Sequence, residues 1–229
     1  MENKISVLMS VYNDELSVGQ AIESILKQSY KNFEFLIIDD SSTDNTYSIC
    51  NEYLSQDSRI HLEKNTSNIG LTLSLNKLLN KASGRFIARQ DSDDTSYKNR
   101  FSVQEKLLRT TNFAACSTLA SIKNQNRTIP NFSRFINPKI TLKFKNPIIH
   151  GTLMIKKDVL EKIGRYDENY YFAQDYKLMR DFMDQKYKIK IIKEVLYELN
   201  MENNISKIYK EEQKYYANCV RRNLVPHSE

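Results

Sequence analysis

The sequence is poor in the residues that mark disordered chains. Its 229 residues include only five glycines and four prolines, whereas 40% are hydrophobic and 27% are charged. This composition, with hydrophobic periodicity along most of the chain, excludes a largely disordered protein. A chain of this length can bury a substantial core, so we expect one large globular domain with at most a small extension.

Cysteine is scarce as well. The three cysteines, Cys50, Cys116 and Cys219, lie far apart and have no C-x-x-C spacing. An odd number of widely separated cysteines argues against a disulfide framework and against a zinc site. We therefore expect all three to be small side chains that are buried or half-buried in the core.

Long apolar runs are absent. No stretch approaches the roughly 18 apolar residues of a membrane span, and Met1 to Lys4 lead into a predicted strand without the layout of a signal peptide. We therefore expect a cytoplasmic location. The formal net charge of +6 fits an anionic partner, which includes nucleic acid, a phosphate-bearing substrate and an acidic membrane surface. Charge alone does not choose among these three.

Strand-like and helix-like segments alternate in the first 94 residues. Apolar runs at Ile5–Val11, Phe33–Ile38, Arg59–Glu63 and Arg85–Ala88 predict strands, and amphipathic segments between them predict helices. Alternation with short connections indicates a mainly parallel sheet flanked by helices. Polar residues follow these strands, and ligands bind at the carboxyl ends of strands in such sheets. We interpret this part as a nucleotide-binding half.

The remaining sequence predicts a less regular arrangement. The expected elements are a helix through 101–108, a strand within 113–122, a loop at 123–137, a short helix at 138–144, a strand at 150–155, a helix from 174, a strand near 189–192 and a final helix near 205–222. The final helix has a basic face with lysines and arginines among tyrosines, formed by Lys207, Lys210, Lys214, Arg221 and Arg222. Such a helix either rests on an anionic membrane or packs on its own domain.

Three carboxylates directly follow the fourth predicted strand. Asp91, Asp93 and Asp94 come after Arg85–Ala88, and Arg89 precedes them. Because residues i and i+2 of an extended segment project to the same side, Asp91 and Asp93 can face one point while Asp94 faces elsewhere. Two carboxylates held in this way suit Mg²⁺ or Mn²⁺ carrying a diphosphate.

Several stretches match one pattern in their order and spacing. They are Ile5–Asn13, Ile37–Asp44, Asn68–Gly70 and Asp91–Asp94, followed by Asn146–His150 and Gln174–Tyr176. Together they closely resemble family 2 glycosyltransferases, over nearly the whole chain. The resemblance implies a GT-A fold and inverting transfer of a sugar from a nucleotide diphosphate donor. It also implies a nucleotide-sugar-binding half at 1–95, an acceptor-binding and catalytic half at 96–200 and a helical extension at 201–229.

The resemblance assigns donor recognition to residues that follow the strands. It places Tyr12 against the nucleotide base, where an aromatic face offers stacking area, and it includes Asn68 among the substrate-binding residues. Asp39 matches the acidic residue that accepts a hydrogen bond from the uracil imide, which favours a UDP-sugar. The other role open to Asp39 is that of a helix N-cap.

The same resemblance gives the aspartate cluster its roles. Asp93 matches the metal-binding carboxylate, and Asp91 binds ribose, the metal or a water on the metal. A divalent ion, Mn²⁺ or Mg²⁺, would stabilise the charge that develops on departing UDP. Arg89 either assists the phosphates with its guanidinium group or forms an ion pair with a neighbouring aspartate.

The resemblance places catalysis in the second half of the chain. Asp175 matches the base that deprotonates the acceptor hydroxyl, a task suited to a carboxylate whose pKa is raised by apolar surroundings. His150 faces the donor diphosphate or the acceptor, unless it is a satisfied core histidine. Two positions depart from the family pattern: Gln174 replaces an acidic residue, and the segment around Met201 lacks a histidine that sometimes binds the metal.

Three other interpretations compete with a hexosyltransferase. The D-x-D-x-T match at Asp91–Thr95 is also found in haloacid dehalogenase-like phosphatases, but there it follows the first strand. A sugar nucleotidyltransferase would need a basic, glycine-rich loop after the first strand, where this chain has Tyr12–Glu15. The third is an inactive carbohydrate-binding module. We predict a metal-dependent transferase at the cytoplasmic membrane face that acts on a lipid-linked or growing surface glycan and does not bind nucleic acid.

Overall fold

The computed structural model describes residues 3–131, 135–201 and 209–227. The strands are β1 (Ile5–Val11), β2 (Phe33–Asp39), β3 (Ile60–Lys64), β4 (Phe86–Arg89), β5 (Thr95–Ser96), β6 (Ala115–Ile122), β7 (Thr128–Ile129), β8 (Met154–Lys156) and β9 (Ile189–Leu199). The helices are α1 (Val18–Leu26), α2 (Thr46–Gln56), α3 (Leu71–Lys81), α4 (Arg100–Thr110), α5 (Pro138–Thr141), α6 (Lys157–Lys162), α7 (Gln174–Asp184) and α8 (Lys210–Arg222).

The strands form one sheet with the order β3-β2-β1-β4-β8-β6-β9-β5, and β7 pairs with β6. In the N-terminal part, β1 is parallel to both β2 and β4, and β2 is parallel to β3. β2 is buried along its whole length, as expected for an apolar strand covered on both faces. Because these strands are parallel, their carboxyl ends meet at one edge of the sheet.

Antiparallel pairing enters with the C-terminal part of the chain. β8 runs antiparallel to β4 and β6 and so joins the two parts of the sheet. β9 lies parallel to β6, and the short β5 pairs antiparallel with β9. The sheet is therefore continuous from the proposed donor half into the proposed acceptor half.

Helices cover both faces of the sheet. On one face α1, α2 and α4 bury Ile22, Cys50 and Phe101, and on the other α3, α7 and α8 bury Leu75, Phe182 and other apolar side chains. The predicted α/β fold is therefore confirmed. So is the prediction for cysteine, because Cys50, Cys116 and Cys219 are free and buried. None of the helices in the described part of the chain has the length and apolar character that a membrane span requires.

Three predicted elements differ from the structure. The strand predicted from His150 begins only at Met154, because His150–Thr152 form a short 3-10 helix. The predicted loop at 123–137 contains β7, which makes a hairpin with β6. The final strand extends to Leu199 rather than ending near Ile192.

The final helix packs on its own domain. α8 begins at Lys210, and the start of the predicted helix, including Lys207, lies outside the described residues. Cys219 and Val220 enter the core beside α7, whereas Lys210, Lys214, Arg221 and Arg222 are exposed. The exposed surface of α8 therefore carries these four basic side chains together with the acidic Glu211 and Glu212, and Lys214 Nζ lies 3.5 Å from Glu211 Oε2.

Candidate active site

The loops after β1 and β2 hold each other at the carboxyl edge of the sheet. Asn13 N–H donates to Ser42 Oγ at 2.9 Å, and Ser42 N–H donates to Asp39 Oδ2 at 3.1 Å. Asp39 is fully buried, yet its Oδ1 has no hydrogen-bond partner within the described residues. Lys64 Nζ lies 3.5 Å from the other oxygen. Tyr12, beside this loop, is 48% exposed.

Asp39 does not cap the helix that follows it. α2 begins at Thr46, and the carboxylate that accepts from Thr46 N–H, at 3.0 Å, belongs to Asp44. Asp39 bonds instead to Ser42 N–H inside the loop. One oxygen of Asp39 thus orders the loop, and the buried Oδ1 remains available to a ligand.

Asp40 orders a loop at the candidate site and was not singled out from the sequence. Its carboxylate accepts from Asn65 Nδ2 at 2.7 Å, from Ile69 N–H at 3.0 Å and from Gly70 N–H at 2.8 Å. These bonds fix the loop that carries the exposed Asn68. The sequence signal was the pair of adjacent acidic residues at the end of a strand, of which only the first was interpreted.

Asp91 is held by Arg89, for which the sequence suggested such an ion pair, and by Tyr197, which the sequence did not single out. Arg89 donates to its Oδ1 at 2.6 Å, and Asp91 N–H donates to Tyr197 Oη at 3.2 Å. The Arg89 guanidinium is 1% exposed and also donates to the carbonyl of Leu8. Of the two roles open to Arg89, its geometry matches the ion pair, in which the arginine is buried and Asp91 is half-buried.

The carboxylates around Asp91 repel one another. Burial, assisted by the charges of Asp91 and Asp14, raises the pKa of Asp93 to about 7. Burial and the charges of Asp91 and Asp93 raise the pKa of Asp94 well above its ordinary value, although its Oδ1 accepts from Asn200 N–H at 2.8 Å. A bound cation would relieve this repulsion.

The carboxylates of this cluster fit a divalent ion whose remaining ligands come from water and a bound substrate. Among the described residues, no three His, Cys, Asp or Glu side chains are arranged to hold a metal by themselves. Asp91 and Asp93 would supply carboxylate oxygens, and Mg²⁺ or Mn²⁺ commonly completes its coordination with water and phosphate. Asp14 adds a nearby carboxylate whose buried Oδ2 lacks a hydrogen-bond partner in the described parts of the chain.

Asp175 is the second residue of α7, and the helix follows Ala173, whose φ is +53°. Its Oδ2 accepts from Asn146 Nδ2 at 2.8 Å. Burial raises the pKa of Asp175, hydrogen bonds from Tyr176 N–H and Asn146 oppose the shift, and the negative charge of Asp91 adds to it. The charge of Asp91 therefore affects Asp175, although the two residues are far apart in the sequence.

The aromatic residues before Asp175 separate in the fold. Tyr170 turns into the core and donates to the carbonyl of Leu224 at 2.7 Å. Tyr171 is 54% exposed and lies against Gly70 on the donor side. The segment that leads to the predicted base thus touches the loop that Asp40 orders.

His150 lies between the aspartate cluster and Tyr166. Its Nε2 is 2.8 Å from Tyr166 Oη. Burial, together with the nearby Arg89 guanidinium, lowers the pKa of His150 to about 3, and the charge of Asp91 opposes this shift. The imidazole is therefore neutral at physiological pH and offers one donor and one acceptor.

Comparison with known proteins identifies the family of this chain. A family model described as glycosyl transferase family 2 matches residues 6–188. The chain belongs to glycosyltransferase family 2. The family, the GT-A fold and the assignment as an enzyme that is a glycosyltransferase are thereby confirmed. A phosphatase, a nucleotidyltransferase and an inactive binding module are set aside.

Individual family 2 proteins support this assignment. The putative glycosyltransferase EpsE of Bacillus subtilis is 32% identical over 213 residues, which cover 89% of this chain and 75% of EpsE. WfgD of Escherichia coli, a UDP-Glc:α-D-GlcNAc-diphosphoundecaprenol β-1,3-glucosyltransferase, is 38% identical over 128 residues, which cover 56% of this chain and 50% of WfgD.

A solved structure matches the fold at low sequence identity. The mannosyltransferase PcManGT of Pyrobaculum calidifontis, in complex with GDP-Man and Mn²⁺, superposes with a TM-score of 0.78 and 19% identity, over 97% of this chain and 65% of that one. At this identity the similarity supports the GT-A fold and does not extend to the substrate.

Proposed function

We propose that the protein transfers a sugar from a UDP-sugar to a hydroxyl of a lipid-linked or growing surface-glycan acceptor, with inversion at the anomeric carbon. The observation that carries this proposal is a pair of carboxylates, Asp91 and Asp175, that have different hydrogen-bond partners. Asp91 is neutralised by Arg89 at the end of β4, whereas Asp175 has only neutral amide partners and a raised pKa. One carboxylate is suited to hold the donor and the other to accept a proton.

Donor recognition is proposed for the loops after β1 and β2. The buried Oδ1 of Asp39 is a single free acceptor, which matches the single imide N–H of uracil. Guanine offers donors on two neighbouring nitrogens and would need two free acceptors. Tyr12 supplies an exposed ring for stacking, and Asn68 lies at the ordered loop nearby. WfgD, whose name specifies UDP-Glc, is in agreement with this choice of nucleotide.

Asp93 and Asp91 are the proposed ligands of Mn²⁺ or Mg²⁺. When bound, such an ion acts as a Lewis acid that stabilises negative charge on the departing diphosphate. PcManGT was solved with Mn²⁺, which supports a divalent metal in this fold. In this arrangement Arg89 positions Asp91 from behind and does not reach the phosphates, because its guanidinium is buried.

Asp175 is the proposed base. In its ionised form it takes the proton of the acceptor hydroxyl while that oxygen bonds to the anomeric carbon from the side opposite the nucleotide. The raised pKa makes it a stronger base than an exposed aspartate. Neutral His150, fixed by Tyr166, can orient donor or acceptor oxygens without carrying charge.

A peripheral position at the inner face of the plasma membrane is proposed for this reaction. Exposed apolar residues near α5, namely Phe135, Ile140 and Phe144, stand among lysines, and α8 exposes lysines and arginines. Such a surface suits anionic lipid. The acceptor in the name of WfgD is a diphosphoundecaprenol-linked sugar, which would be embedded in a membrane. The proposed division of the chain has three parts. Residues 1–95 bind the donor, residues 96–200 bind the acceptor and catalyse the transfer, and residues 201–229 form a helical extension.

The proposal is tested first at Asp175. We expect Asp175→Asn to bind UDP in the presence of Mn²⁺ like the wild type and to lose sugar transfer, because the amide cannot accept the proton. Calorimetric titration with UDP and a transfer assay with a panel of UDP-, GDP- and dTDP-sugars measure the two properties. Asp93→Ala is the matched variant, for which metal-dependent UDP binding should be lost. Normal transfer by Asp175→Asn would refute the base assignment.

A further inference from the structure

A cavity of about 380 Å³ opens beside the proposed base. It lies between the turn before β7 and the segment that precedes His150, and its lining includes Arg127, Ile129, Lys145, Asn146 and Ile148. The Asn146 amide in its wall donates to Asp175 Oδ2 at 2.8 Å. A ligand in this cavity would therefore be separated by the Asn146 side chain from the carboxylate that is proposed to activate the acceptor.

The charged residues in the described lining of this cavity are both basic. Arg127 and Lys145 are exposed, and neither side chain forms an ion pair or hydrogen bond with any residue that the structure describes. No carboxylate is found among the described residues of its lining. Two unpaired cations at the rim of a concave site attract an anionic ligand.

A second cavity provides an internal comparison. It has a volume of about 660 Å³, lies between α3 and α7, and is lined by Asp167, Glu168, Asp181 and Asp184. The Lys177 ammonium there is already paired with Asp167 and Asp181. This cavity would repel a phosphate, so of the two only the one beside Asp175 suits an anion.

The cavity beside Asp175 also has an apolar side. Ile129, Pro147 and Ile148 contribute to its lining. Next to Lys145 along the chain, Phe144 is 68% exposed, and Ile140 in α5 is 54% exposed. Cations beside exposed apolar side chains match a molecule that joins phosphate to a hydrocarbon chain.

We infer that this cavity binds the diphosphate of a prenyl-diphosphate-linked acceptor. Arg127 and Lys145 would pair with the phosphate oxygens, since arginine and lysine are the usual phosphate partners in proteins. The prenyl chain would leave along Ile140 and Phe144 toward the bilayer, and the attached sugar would point to Asp175. This inference rests on the proposed function, because it names the acceptor of that reaction.

The test uses farnesyl diphosphate as a probe on the full chain. With UDP and MnCl₂ at saturation, so that the donor site is filled, isothermal titration should show the wild type binding the probe. Arg127→Gln with Lys145→Gln should weaken binding by about tenfold or more, since hydrogen bonds to charged groups contribute ~1.5–3 kcal/mol each and 1.4 kcal/mol is tenfold. Lys106→Gln, an exposed lysine on α4, should bind within about twofold of the wild type.

Two results would overturn the inference. If UDP prevents binding of farnesyl diphosphate, the probe occupies the donor site. If the double variant binds the probe as tightly as the wild type, the two cations do not form the site. Equal melting temperatures of the double variant and Lys106→Gln confirm that both are folded. Because the readout is binding, a wild type that transferred no sugar would refute the proposed function and leave this result intact.

Discussion

Asp91 and Asp175 show how two identical side chains acquire different chemistry. Asp91 receives a charged hydrogen bond from the buried Arg89 guanidinium. Asp175 receives hydrogen bonds from the neutral amide groups of Asn146 and Tyr176, and burial with the charge of Asp91 raises its pKa. A pair of carboxylates with different surroundings is a common basis for dividing binding from proton transfer.

The side-chain amide of Asn146 should influence how the activity depends on pH. Its hydrogen bond favours the ionised form of Asp175, so Asn146→Ala should raise the pKa of Asp175 further. The base works when it is ionised, and the rate therefore falls as pH drops through that pKa. We expect the acidic limb of the kcat–pH profile to move to higher pH in Asn146→Ala. Asn131 lines the same cavity as Asn146. Because Asn131→Ala does not remove the hydrogen bond to Asp175, it should leave the acidic limb of the profile unchanged.

The sequence singled out candidate site residues, but it did not indicate most of their hydrogen-bond partners. Asp39, Asp91 and Asp175 stand in local motifs that are recognisable along the chain. Their partners come from elsewhere: Asn146 is 29 residues from Asp175, and Tyr197 is 106 residues from Asp91. Contacts over such separations depend on the packing of the whole sheet and leave no local pattern.

The loop before α3 links the donor edge to α7. Asp40 accepts the N–H groups of Ile69 and Gly70, and Tyr171 packs on the other side of Gly70. The backbone at Gly70 has φ +86°, which a residue with a Cβ adopts only with strain. A side chain here would also place its Cβ 2.6 Å from Tyr171 Cε2. Glycine is therefore required at this turn.

Gly70→Ala should destabilise the protein by about 1–3 kcal/mol and weaken UDP binding, because the strained turn and the displaced Tyr171 both disturb the donor loop. Urea unfolding and UDP titration measure the two effects. Gly19→Ala is the matched control. An added Cβ at Gly19 meets its nearest atom at 3.4 Å, and alanine within α1 should be neutral or stabilising by up to about 1 kcal/mol. Equal stabilities of the two variants would contradict the argument.

The boundaries of strands were predictable where the hydrophobic pattern of the sequence agreed with the burial of the residues in the fold. The four N-terminal strands lie within one or two residues of their predicted positions. The error at His150–Thr152 has a physical cause: Thr152 Oγ1 donates to the carbonyl of Ile149 at 2.9 Å, and Arg100 donates to the carbonyl of Gly151. These bonds hold a tight turn in a stretch whose apolar pattern favours a strand. Tertiary contacts thus overrode local preference.

One buried arginine connects the N-terminal and C-terminal parts of the sheet. Arg100, at the start of α4, is fully buried and donates to the carbonyl of Arg89 at 2.8 Å and to that of Gly151. Its guanidinium carbon lies 5.1 Å from the ring centroid of Tyr197 on β9. The residue therefore contacts β4, the 3-10 helix before β8 and β9 at once.

Arg100→Met should lower the free energy of unfolding by about 3 kcal/mol or more, because two buried carbonyls lose their charged donor and each such loss costs ~1–3 kcal/mol. Urea denaturation monitored by circular dichroism measures the change. Arg100→Lys should retain part of the stability through one of the two bonds. Arg222→Met, on the exposed face of α8, should change stability by less than about 0.5 kcal/mol.

The pairing of β4 with β8 has a practical consequence for dividing the chain. β4 bonds to β1 on one side and to β8 on the other, with Phe86 opposite Lys156. A fragment ending near residue 95 would expose one whole edge of β4, including the backbone groups of an apolar strand. Unpaired edges of this kind recruit other chains. An isolated N-terminal fragment should therefore aggregate on expression, and co-expression of both fragments should recover soluble material.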